Sequence, residues 1–332
     1  MRLGLVAAAC SMSVLLGCSD GSTSRLNDPA SMPAVLPAGT VLATIATGSA
    51  PNAIAVDAAG DVWVVDNASD TVSELSPSGM VLGVFPVAGC PHQIAIDRRG
   101  NVWVSSSVGP VLTELSASGV TLNVFPMAVP PDGIAVGAND NLWITNPASN
   151  SVSEVSDSGV GLGTFAVGPG PGYLAIDAAG NIWVSNCLGS TVTELSSSGA
   201  LLTTIGVGSR PYGIAIDGHG DVWVANRLSN SVSKLSSSGK VIGTYPVGIH
   251  PVGVAFDLAG DVWVTNNSDG TVNELSPAGA ILGTFTVGMN PSSLVIDAAG
   301  DIWIPNYGSG TVTEMSSGTA PGSAAGSAKS GV

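Results

Sequence analysis

Tryptophan stands at positions 63, 103, 143, 183, 223, 263 and 303, each 40 residues after the one before. A period this strict leaves one class of architecture, a supersecondary unit stacked on copies of itself so that each buries a face its neighbour supplies. Seven such units fill Gly39 to Gly318 with no inserted residue between them. They are not helical units: Gly is 44 of the 332 residues, Pro 21, and only 10% are charged. That is poor material for solvent-facing helices and good material for short strands joined by tight turns. The formal charge of -15 sets nucleic acid and anionic membrane surfaces aside as partners.

One unit runs Gly159 to Gly168, then Pro171 to Asn186, then Thr191 to Ser196, and holds four short apolar runs bounded by turn residues. The pattern predicts a four-stranded meander. The first reversal is Asp-x-x-Gly followed by Asp or Asn, as in Asp177 to Asn181. Such an Asp bonds its own turn backbone while the Gly takes a positive φ. Ile214 to Asp217 and Val222 to Ala225 are apolar on both faces, so each sheet must be covered on both sides. Ala recurs on the first strand at 55, 95, 135, 175, 215 and 255, with Val295 the exception. A small residue suits the crowded inner edge of a radial array, with Trp filling wider space further out. The expectation is an all-β, seven-bladed β-propeller. A linear solenoid is the competing architecture, and the ends of the repeat separate the two. The seventh unit stops at Thr311 to Ser316 without an outer strand, while residues 40–47 supply one ahead of the first unit. Pairing those two segments closes a ring, whereas a solenoid would carry polar capping units.

The termini read differently. Residues 1–17 have a basic start at Arg2, an apolar core too short for a comfortable span, and Leu15-Leu16-Gly17 ahead of Cys18. This resembles a bacterial lipoprotein signal, which implies removal of 1–17 and acylation of Cys18; an ordinary signal cut elsewhere is the alternative. Residues 18–38 then form a tether, 39–318 the propeller, and 319–332 a Gly/Ala/Ser tail expected to be disordered. The expected location is the bacterial cell envelope outside the cytoplasm, in the periplasm or at the outer membrane or cell surface, held to the membrane by the Cys18 lipid only.

Trp263-Val-Thr-Asn266, Thr271-Val272 and Thr286 to Pro291 resemble the YVTN surface-protein repeat, with Trp in place of Tyr. Gly213 to Val224 resembles the NHL repeat and the streptogramin (virginiamycin B) lyase family. The likeness spans all seven units and implies the propeller fold. For function it implies less, since the matched residues build strands and turns. In the lyases it implies a His after the repeat Pro in two adjacent blades and a Glu three residues past the Trp, around magnesium. Here the residues after Pro are Asn52, His92, Asp132, Gly172, Tyr212, Val252 and Ser292, so only His92 matches. Three past the Trp stand Asp66, Ser106, Asn146, Asn186, Asn226, Asn266 and Asn306, none of them Glu. A metal pair and a general base are missing from those places.

Residues common to all units are explained by folding, so function is sought where one unit departs. The loops before the first strand and after the second open on one face, here the first face, and the other two loops on the opposite face. The first face collects Asp66, Cys90, His92, Asp132, Arg210, Tyr212, Arg227, His250 and Tyr307. On the opposite face only Arg98, Arg99 and His219 stand out from Ser, Ala and Gly turns. Arg210, Arg227, Lys234 and Lys240 fall within 31 residues and form a positive patch, where Arg beside Tyr suits carboxylates, phosphates or sugar rings. Surface variation with no ligand is the simpler account of the same residues. Lys234 replaces the third-strand Glu of the other six units and is expected to face solvent. The Asn series and the turn Asp series are expected to bond their own loops. His92 and His250 lie too far round the ring to share a metal, and Cys90 and Cys187, a blade apart, are out of easy reach of a disulfide.

No unit carries an insertion that could close over a substrate, and an open face suits a large partner. The resulting expectation is a monomeric, non-catalytic module binding a protein or glycan on its first face through His92, Asp132, Arg210, Tyr212, Arg227, His250 and Tyr307, without cofactor or metal. The alternative is a metal-dependent lyase or lactone hydrolase using His92, Asp132 or Asp66 with magnesium or calcium.

Overall fold

The computed structural model describes residues 36–319, and these are strand and turn with no helix. Cys18, the signal, most of the tether and all but the first residue of the tail lie outside the described residues. The 28 strands make seven four-stranded antiparallel sheets. Blade 1 comprises Pro51–Val56, Val62–Asp66, Thr71–Leu75 and Val81–Pro86, innermost strand first. Blades 2 to 6 repeat this order. Blade 7 is assembled from both ends of the repeat: Val295–Ile296, Asp301–Asn306 and Thr311–Ser316 from one, Val41–Ala46 from the other. Thr44 faces Thr313, Ile45 faces Val312 and Ala46 faces Thr311. The Gly39 amide extends the pairing by donating to the Ser316 carbonyl at 2.8 Å. The closing strand is thus 41–46, within the 40–47 read from sequence.

Successive first strands lie side by side around the axis, and that of blade 1 also meets blade 7. The core is divided into layers between blades. Ala53, Ala55, Trp63 and Val65 pack with Ile94, Val102 and Val104 of blade 2. Ile54, Val62 and Val64, the alternate residues of the same strands, and Leu75 of the third strand pack with Val295, Trp303 and Val312 of blade 7. This explains the apolar character of both faces of the inner strands: each sheet has two neighbours and no wet side.

The repeated Trp is almost fully buried in every blade. Its indole Nε1 donates to the turn Asp at the end of the first strand, at 3.2 Å for Trp63 on Asp57 and 2.9 Å for Trp303 on Asp297. The other oxygen of Asp57 accepts the Ala59 and Asp61 amides. One carboxylate therefore ties the turn to the core, the turn-forming role expected of this series. In five blades the Trp stacks on an aromatic residue of the fourth strand, with Trp63 and Phe85 at 5.6 Å. That ring reaches the next blade's outer turn, where a Cβ on Gly119 would sit 2.1 Å from Phe85 and φ is +74°. Only glycine fits both constraints.

A column not singled out in the sequence links the blades near the axis. Thr145 Oγ1 donates to the Gly172 carbonyl of blade 4 at 2.6 Å and accepts the Gly133 amide of its own blade at 2.7 Å. Ser105 and Ser185 make the equivalent pairs with Asp132 O and Gln93 N, and with Tyr212 O and Tyr173 N. A hydroxyl, both donor and acceptor, thereby satisfies two backbone groups across a blade boundary.

Blade 3 lacks the turn Asp, having Gly137, and Asn139 covers the Asn141 amide at 3.3 Å instead. A Cβ at Gly137 would stand 3.1 Å from Asn139 Oδ1, 3.3 Å from the Asn141 carbonyl oxygen and 3.5 Å from Trp143 Nε1. Gly137→Asp should restore the missing indole acceptor and raise stability by about 1 kcal/mol, about 2 °C in Tm. Thermal unfolding of the variant checks this, and a lower Tm would refute it.

Candidate functional site

The first strands line an axial channel with about 460 Å³ of empty space, part of it open to solvent. Its wall is set by the residue two places after the repeat Pro, Gln93, Gly133, Tyr173, Gly213, Gly253 and Ser293, while Ala53 at the same place in blade 1 is buried in the core. Gly133 and Gly213 are forced by the neighbouring blade, since a Cβ would meet the Gly172 and Val252 carbonyls at 2.2 and 2.1 Å. Gln93 and Tyr173 are the two large members, and they fill the wall on the side of blades 2 to 4. Sequence reasoning stopped one column short of them; the same test of departure would have found both.

At the first-face mouth four blades contribute to one cluster. His92 of blade 2 reaches Asp132 of blade 3, with Nδ1 2.5 Å from Oδ1, and both are half-buried. The contact is an ion pair whose angles lie outside hydrogen-bond geometry, so neither atom has a hydrogen-bond partner among the described residues. Burial by itself would lower the His92 imidazole; the Asp132 carboxylate beside it prevails and holds it above the ordinary histidine value. Asp132 also lies near Gly172 of blade 4, where a Cβ would stand 2.9 Å from Cys187 Sγ and 3.9 Å from Asp132 Oδ2. Next come the rings of Tyr173 and Tyr212, 4.6 Å apart and tilted, and the Arg227 guanidinium 5.6 Å from the Tyr212 centroid.

Burial raises the pKa values of this group, and Asp132 adds to the effect. The Tyr212 phenol is pushed up to about 12 by burial, then by Asp132 and Cys187, against Arg227 and a hydrogen bond with Tyr173. Tyr173 lies well above the usual phenol value for the same leading reason. Burial and Asp132 push the Cys187 thiol up to about 12, against Arg210 and Arg227. The phenols and thiol are therefore neutral near pH 7, and Cys187 is not an activated nucleophile. The mouth offers neutral O–H donors, an aromatic surface and cationic nitrogen around one carboxylate.

Of the residues read from sequence, His92, Asp132, Tyr212 and Arg227 meet here. Arg210 is exposed on the turn before its Pro, with φ +54°. His250 turns into its own blade, its Nδ1 2.7 Å from Ser268 Oγ, and Tyr307 is exposed elsewhere on the face. Cys90 and Cys187 are both free. The four-residue basic patch is corrected, because Lys234 is not on the surface. It is buried on the opposite side of blade 5, with Nζ 3.0 Å from Asp221, 3.2 Å from the Pro277 carbonyl and over Trp223. The expectation of solvent failed because the next blade's turn covers the third strand. Lys240 remains exposed, leaving Arg210 and Arg227 as the basic residues beside Tyr212.

The metal and base implied by the lyase resemblance do not fit these residues. The column three past the Trp points into its own blade: Asp66 is fully buried on Ser73 Oγ at 2.6 Å, and Ser106 is engaged by Gly89 and Gly109. The Asn members bond third-strand side chains, as Asn186 does Thr193 at 2.9 Å. No carboxylate of that column reaches the mouth.

The fold and its axial mouth define a seven-bladed propeller with a site between four blades. Among solved structures it is similar to a streptogramin B lyase, at a TM-score of 0.76 and 16% identity over 82% of this chain and 96% of that one. Virginiamycin B lyase from Staphylococcus aureus matches at 0.76 and 16%, over 82% and 98%. The WD40 β-propeller domain of Doa1 matches at 0.73 and 13%, over 83% and 96%. No protein-family model matches the chain, and no curated protein matches it. At these identities the likeness establishes the fold.

Because His92 is held above its ordinary value, the pair's contribution to stability is complete below about pH 6.5 and is lost as pH rises through the raised value. The Tm difference between the wild type and His92→Gln should therefore be largest between about pH 5 and 6.5 and shrink towards alkaline pH. Melting curves across this range check the sign; a difference growing with pH would refute it.

Proposed function

We propose that this chain is a lipid-anchored envelope propeller that binds, without converting it, an acidic glycan at the first-face mouth. The observation that carries this reading is the Tyr173–Tyr212 ring pair with Arg227 over Tyr212. Flat apolar faces take sugar rings, and a guanidinium takes a carboxylate in a bidentate fork. The neutral phenols and His92 add donors for hydroxyls or anionic oxygen. The raised imidazole against Asp132 keeps its proton over more of the pH range, which favours His92 as a donor to a bound anion. Among the described residues no loop is long enough to fold over the channel, which suits a ligand chain that extends beyond it.

The alternative, a lyase or lactone hydrolase, draws on the likeness to the streptogramin lyases and on the His92–Asp132 contact, which gives one imidazole an orienting carboxylate. One experiment separates the two. Acidic and neutral oligosaccharides are arrayed against the wild type, Tyr212→Ala and Arg227→Ala. The expected result is retention of an acidic class, weakened at least about tenfold in each variant, the scale of a lost stacking or charge-assisted contact. Recovered ligand should be chemically unchanged. Equal binding by all three proteins overturns the proposed site, and conversion that disappears in His92→Ala favours the alternative.

The anchor rests on Leu15-Leu16-Gly17-Cys18. In a bacterial host, metabolic labelling with an alkynyl fatty acid should mark the wild type, and Cys18→Ala should lose the label and leave the membrane fraction. A labelled Cys18→Ala protein would refute acylation at that residue.

A further inference from the structure

Each blade but the third, which has Gly137 at the first position, places three polar positions together on the side opposite the mouth: the turn Asp, the residue four places on, and the third-strand residue facing the Trp. How their charge is balanced differs from blade to blade. In blades 2 and 3 the middle position is Asn, and its amide donates to the Glu, Asn101 to Glu114 at 2.9 Å and Asn141 to Glu154 at 2.6 Å. In blade 4 Asn181 donates to Asp177 at 3.0 Å. In blade 5 both acids are Asp and the third-strand residue is Lys234. Its ammonium occupies the centre, 3.0 Å from Asp221, 3.7 Å from Asp217 and 3.2 Å from the Pro277 carbonyl.

Blades 1, 6 and 7 share the Asp, Asp and Glu trio and have neither remedy, but among the described residues only blade 6 brings an oxygen of all three acids into one small space. Asp257, Asp261 and Glu274 each present an oxygen, all within 4.8 Å of one another. Glu274 is more than nine-tenths buried and has no hydrogen-bond or ion-pair partner among the described residues. Burial and the two Asp push its carboxyl up to about 7. Three carboxylates turned together around a space that holds a cation in the neighbouring blade lack only the positive charge. Oxygens on opposite sides of a calcium ion stand about 4.8 Å apart, given Ca–O distances of about 2.4 Å.

We propose that Asp257, Asp261 and Glu274 form a calcium site in blade 6, with the ion in the role that the Lys234 ammonium fills in blade 5. Hard carboxylate oxygens select such a cation, and calcium's flexible coordination lets water complete the shell. Of the Asp257 oxygens, Oδ1 already accepts the Ala259 and Asp261 amides and Oδ2 the Trp263 indole, so its position is fixed before any ion arrives. Binding there would brace the turn that holds Trp263.

The test is thermal unfolding of the chelator-treated full chain at about pH 8, above the Glu274 value, with and without about 5 mM calcium chloride. Calcium should raise the wild-type Tm by about 2–4 °C. Glu274→Lys, which copies the blade 5 arrangement, should have a higher Tm without calcium and no calcium shift. Glu274→Gln should also lose the shift. Lys234→Glu should lose stability without calcium and gain a larger calcium shift than the wild type. His92→Ala should keep the wild-type response, which separates this site from the mouth. No shift in the wild type means the cluster holds no calcium and overturns the proposal. An equal shift in wild type, Glu274→Lys and Glu274→Gln places the ion elsewhere and overturns it as well.

Discussion

No blade of this protein can stand alone, and the rest of the structure follows from that. Ala53 and Ala55 look one way and Ile54 the other, and both sides are buried by neighbours. A sheet with two apolar faces must be covered twice, which a finite row of blades satisfies only by closing into a ring. Closure in turn requires the last blade to find its outer strand, and Val41–Ala46 provides it from the far end of the chain. The pairing of Ala46 with Thr311 is a contact of very long sequence separation, and it removes the end blade's open edge.

Polar groups inside such a ring need partners that the repeat itself supplies. The turn Asp does this for the indole and two amides, and the second-strand hydroxyl does it for a carbonyl and an amide of adjacent blades. Where a blade changes one member, another member compensates. Asn139 covers for Gly137, Asn101 and Asn141 each donate a hydrogen bond to a Glu, and the Lys234 ammonium pairs with two Asp. Blades 1, 6 and 7 keep three acids with no compensating change, and the Asp257, Asp261 and Glu274 trio stands out because its oxygens lie within 4.8 Å of one another.

The mouth follows a different logic. His92, Asp132, Tyr173 and Tyr212 break the consensus in four successive blades, and nothing in the folding of a blade requires any of them. They come together because the first strands converge on a narrow axis, where residues about 40 apart in sequence become neighbours. The departures at His250 and Tyr307 belong to the same face and yet stand apart, since loops further from the axis diverge.

The sequence by itself determined the number of blades, the order of strands, the closing segment and the identity of the structural columns. Each of these follows from a period and from local turn chemistry, which act within one unit. It also named His92, Asp132, Tyr212 and Arg227 as departures, but not that Asp132 would sit against His92 or that Tyr173 would complete an aromatic pair. The burial of Lys234 was equally out of reach. A period gives each residue its place within a blade, while contact across blades depends on the spacing and rotation of neighbouring sheets. Those are set by side-chain volume packed between them, and only the assembled ring decides them.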